Sequence, residues 1–130
     1  MNRERLIEET RGQMPARRWE HTLGVVGSAA ALAAKYGADA EKAELAALLH
    51  DYCKYWPIDE QRREYAEAGL DPDLLRYDPQ LIHGPLAAEI VRRRYGIDDP
   101  EILDAIRYHT SGREKMSLLD KIVCLADYIE

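Results

Sequence analysis

Residues 43–51, Ala43-Glu44-Leu45-Ala46-Ala47-Leu48-Leu49-His50-Asp51, decide the fold. Apart from Glu44 the first seven are apolar, and a helix apolar nearly all round belongs inside a bundle, not on its surface. The run then ends on an imidazole and a carboxylate side by side. A central helix therefore delivers two ionisable groups from its last turn. Outward from it the punctuation is helical throughout. Gly37 and Asp39 separate a segment at about 16–36 from one at about 40–54. Asp59 is expected to cap a helix reaching Gly69, while Asp71-Pro72 and Asp99-Pro100 pair a cap residue with proline at the first helical position. Ser117-Leu118-Leu119-Asp120 reads as a capping box with Asp in the usual Glu or Gln place. Sustained two-residue alternation and Asn-Gly turns are missing, so strands are not expected. The expectation is all-α: seven or eight helices in a single compact domain over residues 1–130, around a central metal site.

The last segment adds a second buried charge. Leu118, Leu119, Ile122, Val123, Leu125, Ala126 and Ile129 make one broad apolar arc, with Asp127 at its edge. A carboxylate placed there needs a partner, because an unpaired buried charge costs several kcal/mol or shifts its pKa.

Composition narrows the function. The 130 residues carry a net charge of −6, and their densest basic cluster is Arg92-Arg93-Arg94. That excludes a protein living on contacts to a nucleic-acid backbone. No apolar run suits a membrane span, and Met1–Thr10 lacks the apolar core of a secretory signal. Cys53 and Cys124 are too few and too far apart for a disulfide framework or a thiolate zinc site, which points to a reducing cytoplasm. With so little positive charge, a phosphate substrate would need a metal to hold it.

Four histidines supply the means: His21, His50, His83 and His109. Singly, each is more often a structural or surface residue than a ligand. Together they form a pattern. His21 shares a helical face with Val25 and Ala29, pointing it inward, and His50-Asp51 ends the core helix. His83 precedes Gly84-Pro85 and His109 precedes Thr110-Ser111-Gly112, junctions where a side chain is presented to a cavity. Imidazole plus carboxylate without thiolate suits iron, manganese or zinc at a catalytic site, and the long spacings suit helices converging on one bundle core.

The order His21, His50-Asp51, Asp127 resembles the HD superfamily of metal-dependent phosphohydrolases. Six local words sharpen the likeness: Arg18-Trp19-Glu20-His21-Thr22-Leu23-Gly24-Val25, His50-Asp51-Tyr52-Cys53-Lys54, His83-Gly84, Tyr108-His109-Thr110-Ser111-Gly112, Met116-Ser117-Leu118-Leu119-Asp120-Lys121 and Leu125-Ala126-Asp127-Tyr128-Ile129-Glu130. In this order they resemble the YqeK family, bacterial HD-domain symmetrical dinucleoside tetraphosphatases. The resemblance implies cleavage of diadenosine tetraphosphate at its centre into two ADP, using iron, two ions per chain, with manganese or zinc as alternatives. It implies His21, His50, Asp51 and Asp127 as ligands of a first metal, and His83 and His109 as ligands of a second that Asp51 bridges. Family members continue beyond the Ala-Asp-Tyr-Ile-Glu word, so their C-terminal helices, and any substrate contacts from them, are expected to be absent from residues 1–130.

A dinuclear site would activate water and neutralise phosphate oxygens, with Asp51 at its centre. Lys54, one turn after His50, is the expected phosphate contact and a second catalytic group. Arg18 either meets phosphate or pairs with a carboxylate; Thr110 and Arg113, beside His109, are weaker substrate contacts. Trp19, Tyr52, Trp56 and Tyr108 are read as packing rather than adenine stacking, and both cysteines as small buried hydrophobes. Two other readings stay open: another HD nucleotide phosphohydrolase, for which the four-ligand set would suffice, and a non-catalytic nucleotide-binding module keeping metal for folding. The expected partner is a small dinucleoside polyphosphate, and the apolar last helix leaves a surface for a homodimer.

Overall fold

The computed structural model describes residues 2–130, and among them every regular element is helical. The α-helices are α1 (Arg3–Arg11), α2 (Ala16–Tyr36), α3 (Ala40–Leu49), α4 (Ile58–Glu67), α5 (His83–Tyr95), α6 (Pro100–Arg107) and α7 (Leu118–Ile129). Two short 3-10 turns, Pro72–Arg76 and Pro79–Leu81, lie between α4 and α5.

Local chemistry sets most ends. Asp39, Asp71 and Asp99 accept from the amides of Lys42, Asp73 and Glu101, quenching first-turn donors that no helix bond can use. Ser117 and Asp120 form the reciprocal capping box at the start of α7. Gly37 closes α2 at φ +77°, in the left-handed region that glycine enters without steric cost.

Two expected ends lie elsewhere. Asp59 sits inside the first turn of α4; Pro57 holds the cap position and supplies no side-chain bond. Its fixed φ starts the helix in place of a carboxylate. Nor does α3 run on to residue 54. It stops at Leu49, and the chain turns through three-residue hydrogen bonds, Tyr52 to Leu49, Lys54 to Asp51 and Trp56 to Cys53, at 3.1 Å each. That tightening puts His50 and Asp51 on a turn, not on a helix face.

α3 is the axis of the bundle. Ala43, Leu45, Ala46, Ala47, Leu48 and Leu49 are all buried, and α2, α6 and α7 pack around them. α5 lies on α6, and α7 spans α2 and α6. Leu23, Tyr36, Leu118, Leu125 and Ile129 stay exposed along α2 and α7. Among the described residues no helix is long and apolar enough to cross a membrane.

Candidate metal centre

All four histidines, Asp51 and Asp127 meet at one end of α3. α2 brings His21, the turn after α3 brings His50 and Asp51, α5 opens on His83, the turn after α6 carries His109, and α7 brings Asp127. His50 is fully buried and Asp51 is 1% exposed.

The rings are held in one orientation. The Nδ1–H groups of His50, His83 and His109 donate to the carbonyls of Ala47, Gln80 and Ile106, at 2.5, 2.7 and 2.7 Å. Each acceptor lies three residues back, so backbone geometry occupies Nδ1 and turns Nε2 inward as the atom left to meet a proton or a metal. This is how metal-binding imidazoles are commonly oriented. His83 Nε2 and His109 Nε2 then face each other at 3.1 Å, two lone pairs that need a proton or a metal cation between them. His50 Nε2 is buried without a hydrogen-bond partner and faces Asp51 Oδ2 at 3.2 Å and Asp127 Oδ1 at 3.4 Å. A donor set of imidazole lone pairs and carboxylates around an unsatisfied buried nitrogen fits a divalent transition metal.

Asp51 divides the cluster. Its Oδ2 faces His50, and its Oδ1 faces His83 at 3.5 Å and His109 at 3.6 Å. Asp127 Oδ1 joins the first side, 2.8 Å from His21 Nε2. Two overlapping triads, His21–His50–Asp127 and His50–Asp51–His109, are each close enough to hold an ion; they share His50, and His83 stands beside the second.

The charges are strongly coupled. Burial works to lower the His50 pKa, yet the charge of Asp51 and the contacts of Asp127 and Asp51 carry it up to about 10. Burial likewise opposes ionisation of Asp51 and Asp127. His50, with His109 and His83 around Asp51 and His21 beside Asp127, outweighs it and holds both carboxyls below their usual range. Burial pushes His109 down, which keeps that ring neutral. The two carboxylates favour a cation at this point, a proton on His50 or a metal in its place.

A cavity of about 310 Å³ opens on this cluster, lined by Asp51, His83, His109 and Asp127, with Lys54 and Thr110 at its wall. Arg18 takes the carboxylate option, donating to Asp51 Oδ2 from Nε at 2.9 Å and Nη2 at 2.6 Å. Arg113 stands apart, paired with Asp120 at 2.8 Å and Asp104 at 3.4 Å over the Tyr108 ring. Tyr52 is fully buried and Trp19 nearly so, and Trp56 donates to Gln13, as packing residues do.

Sequence reasoning missed three lining residues: Gln80, Cys124 and Tyr128. Cys53 is buried as expected, but Cys124 is only half-buried and faces the cavity. Its signal was available, since Cys124 stands three residues before Asp127 and so on the same face of α7.

The HD domain family model matches residues 18–130. The symmetrical bis(5'-nucleosyl)-tetraphosphatase of Bacillus subtilis (strain 168) is 46% identical over all 130 residues, which cover 70% of that protein. The enzyme of the same name from Staphylococcus aureus is 41% identical, again over the whole chain and 67% of the relative. A crystal structure of a predicted HD superfamily hydrolase from Clostridium acetobutylicum superposes with a TM-score of 0.93 at 36% identity, covering 100% of this chain and 69% of that one. Fold, cluster and relatives agree: the chain belongs to the HD domain family, and within it to the symmetrical bis(5'-nucleosyl)-tetraphosphatases.

Proposed function

We propose that this centre hydrolyses diadenosine tetraphosphate at its central bridge, giving two ADP, with two iron ions held by His21, His50, Asp51 and Asp127 on one side and by Asp51, His83 and His109 on the other. The observation that carries the reading is the division of Asp51, whose two oxygens face separate groups of inward Nε2 atoms. Four ligands would serve a single ion; His83 and His109 are surplus to that need and supply a second.

Bound there, the metals provide Lewis acidity and draw the pKa of water toward neutrality. The remaining work belongs to side chains. Asp51 spans both sides and offsets their charge. Lys54 meets a phosphate oxygen at the cavity wall, replacing the bulk positive charge that a protein of net −6 lacks. Thr110, its Oγ1 3.5 Å from His83 Nε2, supplies a hydroxyl to the same oxygens. Arg18 keeps Asp51 in place through its two donors. Water adds to an inner phosphorus, the central P–O–P bond breaks, and each product carries one nucleoside and two phosphates. Imidazole and carboxylate also accept manganese or zinc. The two thiols are free, which supports a reducing cytoplasm as the setting.

Incubating metal-loaded protein with diadenosine tetraphosphate and separating the nucleotides tests the reading. ADP is expected as the sole product; ATP with AMP would mean cleavage off centre and would contradict it.

A further inference from the structure

Symmetrical cleavage makes a demand that one cavity cannot meet. The bond broken lies midway between two identical nucleosides, so each phosphate flanking it leads to a nucleoside on its own side of the metals. The cavity bearing Lys54 and Thr110 takes one. Across Arg18 lies a second, about 260 Å³ against about 310 Å³, lined by Pro15, Arg17, Arg18, His21 and Tyr55.

The two cavities flank the His–Asp cluster from opposite sides of two hydrogen bonds. Arg18 and His21 line the second, while their hydrogen-bond partners Asp51 and Asp127 line the first. Resting on the activity proposed above, we infer that the second cavity is the subsite for the other nucleoside diphosphate half, with Tyr55 stacking on its base and Arg17 meeting its phosphates. Tyr55, in the loop between α3 and α4, is 44% exposed and so has ring surface free for a purine. Arg17 stands in the first turn of α2, which carries no acidic residue and whose cap residue Pro15 makes no side-chain bond. The positive end of this 21-residue helix therefore adds to the arginine in attracting phosphate.

The test compares two substrates on the metal-loaded protein: diadenosine tetraphosphate, with two arms, and adenosine 5'-tetraphosphate, with one. The one-armed compound needs only the first cavity. In Tyr55→Ala and Arg17→Ala the KM for the two-armed substrate should rise about tenfold, as loss of a base stack or a phosphate contact implies, with kcat and the one-armed KM unchanged. Tyr55→Phe keeps the ring and should restore the parent KM. Equilibrium titration with ADP gives an independent reading: two sites per chain in the parent protein, one of them lost in Tyr55→Ala. If the parent releases ADP from diadenosine tetraphosphate and Tyr55→Ala leaves its KM unaltered, the subsite is refuted while the activity stands. If the parent fails to cleave that substrate yet binds two ADP, one of them lost in Tyr55→Ala, the activity is refuted and the subsite stands. A single ADP site in the parent overturns the subsite outright.

Discussion

Asp51 is the residue on which both halves of the centre depend. It is almost wholly buried, each oxygen faces a different set of imidazoles, and no other carboxylate reaches the His83–His109 pair as closely. Asp51→Asn preserves the shape but removes the charge that, on the proposed reading, would offset two cations. Metal content and rate should fall together, the rate by about 100-fold or more. Elemental analysis beside a turnover assay checks this, and an Asn variant keeping two metals and most of its rate would remove the bridging role. Lys54→Ala should instead retain both metals and raise KM. His50 gives a prediction with a sign. Its pKa is raised to about 10 in the metal-free protein, so at neutral pH the ring holds a proton that ligation must displace. Metal affinity should therefore increase with pH up to about 10, and calorimetry in buffers of different ionisation enthalpy should show proton release on binding. The six metal-ligand candidates were legible because the chain has few histidines and each stands beside a helix end or a core face. Arg18's choice of partner was not, since position alone cannot say whether a guanidinium reaches a carboxylate 33 residues away. Arg113's partner was illegible for the same reason: His109 turns inward, while the Arg113 side chain folds back onto Asp120.

Helix packing determines whether the histidines meet. Gly84, one residue after His83, packs closely on the end of α6; a Cβ there would lie 2.8 Å from the carbonyl oxygen of Arg107 and 3.1 Å from that of Ile106. Both are backbone atoms that cannot step aside. Gly84→Ala should push α5 off α6, cost about 1–3 kcal/mol as overpacking does, and separate His83 from His109. Thermal denaturation would read the first effect and a loss of one metal equivalent the second. Ser117→Ala breaks the capping box of α7 and should cost about 1 kcal/mol with metal stoichiometry intact, because Asp127 lies near the other end of that helix. Helix number, most caps and the buried axis could be read from hydrophobic spacing and turn residues. The end of α3 could not. The apolar run continues smoothly to Leu49, and the tight turns that follow are held by backbone bonds that leave no mark in the residue types. Asp59 failed as a cap because Pro57 had already started the helix.

At the scale of the molecule, the bundle gathers onto one end of a dry core helix groups that no short stretch of chain could assemble. On the proposed reading net acidity is no obstacle to phosphate chemistry: bound metals, Lys54 and Arg17 would concentrate positive charge at the centre of a chain of net charge −6. The relatives place the chain in its family, and the proposal of two ions rests on the two oxygens of Asp51 facing different imidazoles. The measurement that tests this most directly is the number of metal ions per chain after anaerobic reconstitution with iron, compared across the parent, His21→Ala and His83→Ala. The account predicts two ions in the parent and one in each variant, with the fold intact by circular dichroism. One ion in the parent, or two retained in His83→Ala, would contradict it.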